Sequence, residues 1–229
     1  MNKKILVVAA HPDDEILGVG GTILRHVNEG DTVHVLILAE GMTSRMQNDD
    51  VECPGLSELH ESAAKVAKSL GVEKLSMANF PDNRMDSIPL LTIVKRIEKE
   101  TESFVPDTVY THYGGDVNID HKLSHDAVVT AFRPLPGTLT SDIYFFETPS
   151  STEWQMSEPG KLFIPNCYID ISAYVKKKIE VLHCYDSEMR RYPHPRSYKG
   201  IEIKAMQRGA EIGCEYAEAF AIGRIIRRT

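Results

Sequence analysis

Long apolar runs are missing from this chain of 229 residues. No stretch approaches the ~18 uninterrupted apolar residues that a membrane-spanning helix needs, so no membrane insertion is expected. The apolar segment near the N-terminus is too short for a signal-peptide core and runs into charged residues without a small-residue cleavage site. Cysteine is scarce as well. Cys53, Cys167, Cys184 and Cys214 are widely spaced and form no C-x-x-C pair, which excludes a disulfide framework or a Cys-rich zinc site and fits reduced thiols in a cytoplasmic protein. Positive charge is in short supply, with 26 Lys and Arg against 33 Asp and Glu and a formal net charge of −7. The basic clusters at 176–178 and 227–228 are short enough to be solvated faces, so nucleic acid is excluded as a general partner. Low-complexity tracts are absent too, and the length suffices for one domain with a sizeable core.

What is present is an alternation of strands and helices. Ile5, Leu6, Val7, Val8 and Ala9 predict a buried strand. Val19, Ile23, Leu24 and Val27 recur at helical spacing, and Gly30 reads as the stop. Within that helix Gly18, Gly20 and Gly21 invite a dinucleotide-binding reading. However, the third glycine of G-x-G-x-x-G would fall on Ile23, and acids precede the glycines where a pyrophosphate would be repelled. Close packing of helix on sheet explains these glycines better. Residues 33–38 predict a second strand, in which His34 reads as a packed histidine, and the polar stretch 42–54 after it is a candidate substrate lid.

Further on, Leu59, Ala63, Val66, Ala67 and Leu70 mark an amphipathic helix, and 74–78 a weaker strand. Pro89 starts a helix with Leu90, Ile93, Val94 and Ile97 inward, and 108–111 form a fourth strand. The expected architecture is α/β: a Rossmann-like, mainly parallel sheet with helices on both faces. Residues 1–150 would form its core and 151–229 a strand-and-helix extension of the same domain. In that extension strands are expected at 143–146 and from 162 to 169. A long helix is expected from 172 to about 188, and another near the C-terminus containing Met206, Ala210 and Ala217.

Two polar clusters follow predicted strands. The first is Ala10-His11-Pro12-Asp13-Asp14-Glu15; the second runs from His112 to His121. Packing so many like charges is costly unless a cation or water relieves it. His11 and Asp14, three apart, suit one zinc-like divalent ion and leave Asp13 between them as a separate carboxylate. The spacing alone fits equally a surface turn whose acids cap the next helix. Because strand C-termini in a parallel sheet share one edge, both clusters are expected on the same rim, which favours the metal reading.

With both clusters in view the sequence resembles the PIG-L/LmbE-like family of zinc-dependent N-deacetylases. The residues carrying the likeness are His11-Pro12-Asp13-Asp14-Glu15, Asn118-Ile119-Asp120-His121 and, in support, Asn83-Arg84-Met85-Asp86. It covers the first 150 or so residues well and the last third loosely. The resemblance implies that His11, Asp14 and His121 hold one divalent ion, zinc by family expectation. A two-His, one-carboxylate set also accepts Fe2+ or Co2+. It implies Asp13 as general base, Asp120 as an orienting residue, and removal of an N-acyl group, foremost N-acetyl, from a small amino sugar or its conjugate. Alternatives are an amidase on a non-sugar amide or thiol conjugate, and a binding protein that keeps the metal without catalysis. The family pattern usually reads His-x-Asp-His, where this chain has Asn118. An amide can donate to an oxyanion but cannot move a proton, so either Asp13 serves twice or His112 substitutes. Arg84, Glu40 and His112 are candidate substrate contacts. His125, four residues after His121, reads as packing or a supporting hydrogen bond, and Tyr113, His183, His194 and Arg208 as rim candidates.

Overall fold

The computed structural model describes residues 2–42, 55–136, 138 and 141–227. Of the candidate lid at 42–54, residues 43–54 (Cys53 among them) lie outside the described residues, as does Arg228. Seven strands form one sheet in the order β3-β2-β1-β4-β5-β7-β6: β1 (Lys4–Ala9), β2 (Thr32–Ala39), β3 (Lys74–Phe80), β4 (Thr108–His112), β5 (Asp142–Phe146), β6 (Cys167–Asp170) and β7 (Ala217–Arg224). The first five pair in parallel, and β7 runs antiparallel between β5 and β6. The expected α/β class and mainly parallel sheet are therefore observed.

β1 is central and buried on both faces, which its uninterrupted apolar run requires. Ile5, Val7 and Ala9 face a core shared with α1 (Asp14–Asn28), α2 (Leu56–Leu70) and α5 (Val175–Leu182). Leu6 and Val8 face the opposite core, against α3 (Leu90–Thr101) and α4 (Ile119–Ala131). α6 (Tyr198–Ala210) packs on β7. Glycines in α1 allow the close approach expected of them: a Cβ on Gly18 would enter the buried ring of Phe146, and one on Gly21 would lie 2.8 Å from Ile171. His34 is packed as expected, stacked on Phe104.

The last third departs from expectation in four places. The helix expected from 172 to 188 is α5 followed by a 3₁₀ segment, His183–Glu188, broken at Tyr185, whose φ of −106° and ψ of 33° are not helical. Ala217 opens a strand, not a helix; its segment pairs with β5 and β6, and an alanine-rich strand is easily read as helical. Residues 162–166 are not strand, and Leu162 and Ile164 face solvent. Lys178, placed with its neighbours on a solvated face, is buried. Its Nζ donates to Glu218 Oε1 at 2.7 Å and to the Leu17 carbonyl at 2.8 Å, while Glu218 accepts from the Gly21 and Thr22 amides. Leu90 in α3 is half-exposed at the surface, not inward.

Gly18→Ala should test the packing of α1 on the sheet. Alanine gains about 1 kcal/mol of helix propensity, but overpacking against a ring that cannot retreat costs about 1–3 kcal/mol. A lowered urea midpoint is the expected result.

Candidate active site

β1 and β4 are parallel neighbours, so the turn after Ala9 and the loop after His112 emerge on one edge. There the chain order reverses, from β2 on one side of β1 to β4 on the other, which opens a crevice. His11 Nδ1 lies 3.2 Å and His121 Nε2 3.3 Å from the same carboxylate oxygen, Asp14 Oδ2. The three donors fall within 4.8 Å of one another.

Each imidazole turns its other nitrogen to a second buried carboxylate. His11 Nε2 faces Asp120 Oδ2 at 3.0 Å and Asp82 Oδ1 at 3.3 Å; His121 Nδ1 faces Asp116 Oδ2 at 3.2 Å. Those carboxylates are anchored in turn. Asp120 accepts from the Asn83 and Met85 amides at 2.7 and 3.0 Å. Asp116 accepts from the Ser151 and Thr152 hydroxyls. Such outer carboxylates fix the tautomer and the angle of a ligating imidazole.

The electrostatics favour a cation. Burial works against charge on His11, yet Asp120 and Asp14 outweigh it and push its pKa up to about 10. Burial likewise opposes charge on His121, but Asp14 and Asp116 raise it to about 9. Burial should also raise Asp14, and His121 and His112 hold it well below the carboxylate range. Asp14 Oδ1 is buried and has no hydrogen-bond partner among the described residues, a cost a coordinated ion removes. Two imidazole nitrogens and a carboxylate oxygen therefore fit one divalent ion of the zinc type, with further positions open.

Asp13 sits beside this cluster, outside the donor set. Its φ of 110° lies in the left-handed region, a strain of about 1–3 kcal/mol for a residue with a side chain. Glu15 sustains it: Glu15 Oε2 accepts from the Asp13 amide at 2.9 Å, and the Tyr185 hydroxyl donates to Glu15 Oε1 at 2.8 Å. Arg196 Nη1 donates to Asp13 Oδ2 at 2.9 Å, and its Nε donates to Ser150 Oγ at 3.1 Å. Burial raises the Asp13 pKa to about 7, with Arg196 pulling it down and Asp14 and Glu188 pushing it up.

Other expected residues are placed as follows. Asn118 caps α4, its Oδ1 accepting from the Asp120 amide at 2.8 Å and from the His121 amide at 3.4 Å. That fixes the orientation of the side-chain amide, so Nδ2 donates to Asn83 Oδ1 at 2.9 Å at the cavity wall. His112 is a correction: it is fully buried behind the site. Its Nε2 accepts from the Ala10 amide, so Nδ1 carries the proton toward Thr148 Oγ1. Burial and His121 hold its pKa well below the ordinary value. It can neither touch substrate nor stand in as the acid.

Glu40 and Arg84 are likewise not among the residues lining the cavity; the Glu40 carbonyl accepts from His60, and Arg84 is exposed on the loop between Asn83 and Met85. His125 is no ligand, its Nδ1 donating to the His112 carbonyl. Tyr113 binds the Leu162 carbonyl, His183 stacks on Tyr198, and Arg208 pairs with Glu147. Of the rim candidates, His194 comes near, its ring against that of Trp154. Sequence reasoning missed Arg196, Asp82, Asp116 and Trp154. Asp116 lay five residues before His121 in the second cluster and was open to notice, whereas Arg196 and Trp154 carry no spacing signal.

The family model described as PIG-L, GlcNAc-PI de-N-acetylase, matches residues 6–132. The uncharacterized deacetylase YaiS of Escherichia coli K12 is 30% identical over 154 residues, spanning 65% of this chain and 76% of that protein. The diacetylchitobiose deacetylase of Thermococcus kodakarensis is 29% identical over 226 residues, 94% of this chain and 81% of that one. Among solved structures, the N,N'-diacetylchitobiose deacetylase from Pyrococcus horikoshii superposes with a TM-score of 0.77 at 21% identity, covering 96% of this chain and 83% of that chain. At that identity the likeness is one of fold.

The outer carboxylates give a direct test. Asp116→Asn and Asp120→Asn should each weaken divalent-ion binding by roughly 10–100-fold, read by competition with a chromogenic chelator.

Proposed function

The chain belongs to the PIG-L family, and from this we propose that it is a metal-dependent hydrolase that removes an N-acyl group, foremost N-acetyl, from an amino sugar or its conjugate. The observation that carries the reading is the convergence of His11, Asp14 and His121 beside a separate carboxylate, Asp13. We take residues 1–229 as one deacetylase domain, a reading supported by β6 and β7, which complete the sheet begun by the first five strands.

In this reading His11, Asp14 and His121 hold one divalent ion, zinc in preference. A bound ion of this kind lowers the pKa of a water and polarises an acyl oxygen. Asp13 takes the proton from the attacking water and returns it to the departing amine nitrogen. A base poised near neutrality suits both steps, and a pKa near 7 meets that need. Arg196 holds Asp13 Oδ2, which leaves Oδ1 as the oxygen that moves the proton. Asn118 Nδ2 has a second N–H beyond the one given to Asn83, suited to the oxyanion that forms as water adds. With His112 buried and neutral, Asp13 serves as both base and acid. A non-catalytic metal binder has no need of a strained, buried carboxylate next to its ligands, and the cost of keeping Asp13 there speaks for catalysis.

The zinc-loaded protein should release acetate and free amine from N-acetylated amino sugars, and Asp13→Asn should cut turnover by about 10²–10⁴-fold while the ion stays bound. Release from non-sugar amides alone would replace the sugar reading with an amidase. The pH dependence follows from the sign of the base's ionisation. Asp13 acts as the carboxylate, so the rate rises with pH through its pKa, at about 7 or lower once a cation lies beside it. Arg196→Gln removes the cation that favours the carboxylate, so the acidic limb of kcat should move to higher pH.

A further inference from the structure

The cavity over the cluster has a volume of about 250 Å³, at the small end of ligand sites, which run from roughly 300 to 1,000 Å³. Its lining mixes polar and apolar side chains. Asn83 and Asn118 line it with amides, while Met42, Val117 and Trp154 line it with apolar surface. Trp154 is the single tryptophan of the chain, and 52% of its surface is exposed. A half-exposed indole in the lining of a polar cavity presents a flat apolar face to whatever enters.

The placement of Trp154 is also built. It ends the 3₁₀ turn Thr152–Trp154 after β5, and Asp116 pins that turn through the Ser151 and Thr152 hydroxyls. The Thr148 amide donates to Thr152 Oγ1 at 2.8 Å, and the Trp154 amide to the Ser151 carbonyl at 3.2 Å. The His194 ring braces the indole from the side, with centroids 5.5 Å apart and planes at 86°. Asp116 faces His121 as well, so one buried carboxylate sets both a member of the donor cluster and the turn that carries the indole.

We propose that Trp154 is the platform for the sugar ring, with the C–H face of an N-acetylated pyranose lying on the indole and its hydroxyl edge toward Asn83. This rests on the deacetylase reading and adds a specificity residue to it. A pyranose has one apolar face and a polar rim, and the lining of this cavity offers an indole for the first and polar side chains for the second. The volume admits a single ring, so the remainder of a conjugate lies outside. An acyclic N-acetyl amide offers the reacting group but no face for the indole.

The lone tryptophan makes the test direct. Zinc-loaded Asp13→Asn protein is titrated with N-acetylglucosamine, N,N'-diacetylchitobiose and N-acetylglycinamide while tryptophan emission is followed. Saturable quenching or a blue shift is expected with the two sugars and not with the amide. In otherwise wild-type protein, Trp154→Leu should raise KM for the sugars by about tenfold with kcat within about threefold. Trp154→Phe should recover most of the loss, and neither variant should alter KM for the amide. Sugar turnover with flat emission, or with KM unmoved in Trp154→Leu, overturns the platform and leaves the deacetylase reading standing. A saturable emission change without acetate release keeps the platform and overturns hydrolysis. Flat emission without release overturns both.

Discussion

Everything at the rim turns on one buried carboxylate oxygen, Asp14 Oδ2, on which His11, His121 and the His11 amide all converge. Taken alone, a carboxylate 1% exposed is expensive to keep charged. It is tolerated because both imidazoles are held against it by further carboxylates, Asp120 and Asp116, and these in turn by backbone amides and hydroxyls. The arrangement stores negative charge in a place shaped for a cation. Asp14 Oδ1, without a hydrogen-bond partner among the described residues, marks where the balance is still incomplete.

The supports for this oxygen come from segments far apart in the chain. The turn after β1 gives His11 and Asp14, the loop after β4 gives Asp116, and the start of α4 gives Asp120 and His121. The loop after β3 supplies the Asn83 and Met85 amides, and the turn after β5 supplies Ser151 and Thr152. Parallel neighbours deliver all of these to one edge, and a rigid sheet lets loops hold groups in register to tenths of an ångström. The left-handed backbone at Asp13 shows the same dependence, since Glu15 and Tyr185 must be in place to sustain it.

A division of labour follows the chain. The donor cluster lies within residues 6–132, the span matched by the family model. Further groups that set the base and line the cavity, among them Tyr185, Glu188, Arg196, Ser151 and Trp154, lie beyond it. The buried Lys178–Glu218 pair ties α5 and β7 to α1, so the C-terminal third is anchored to the helix that Asp13 caps.

Much of this was legible beforehand for a physical reason. β1, β2 and β4 are buried on both faces, so their apolar runs are continuous, and α1 to α3 carry one-sided stripes; such patterns are local. The spacing of His11, Asp13 and Asp14 is local too, as is Asn118-Ile119-Asp120-His121. Where burial depends on a distant partner, local pattern misled. Lys178 read as solvated because Glu218, 40 residues on, is not visible from its neighbours. Tyr185 breaks a helix where its hydroxyl meets Glu15, and the strand at Ala217 exists because β5 and β6 flank it. His112 looked like an available acid, but the Ala10 amide, 102 residues away, takes its lone pair. The sequence by itself determined the sheet's first five strands and the two clusters that meet at its edge, because periodicity and motif spacing are short-range properties. Tertiary structure alone decided which carboxylate faces which imidazole, and that Arg196 and Trp154 belong to the site. Those contacts span tens to hundreds of residues and come into being only when the chain has packed.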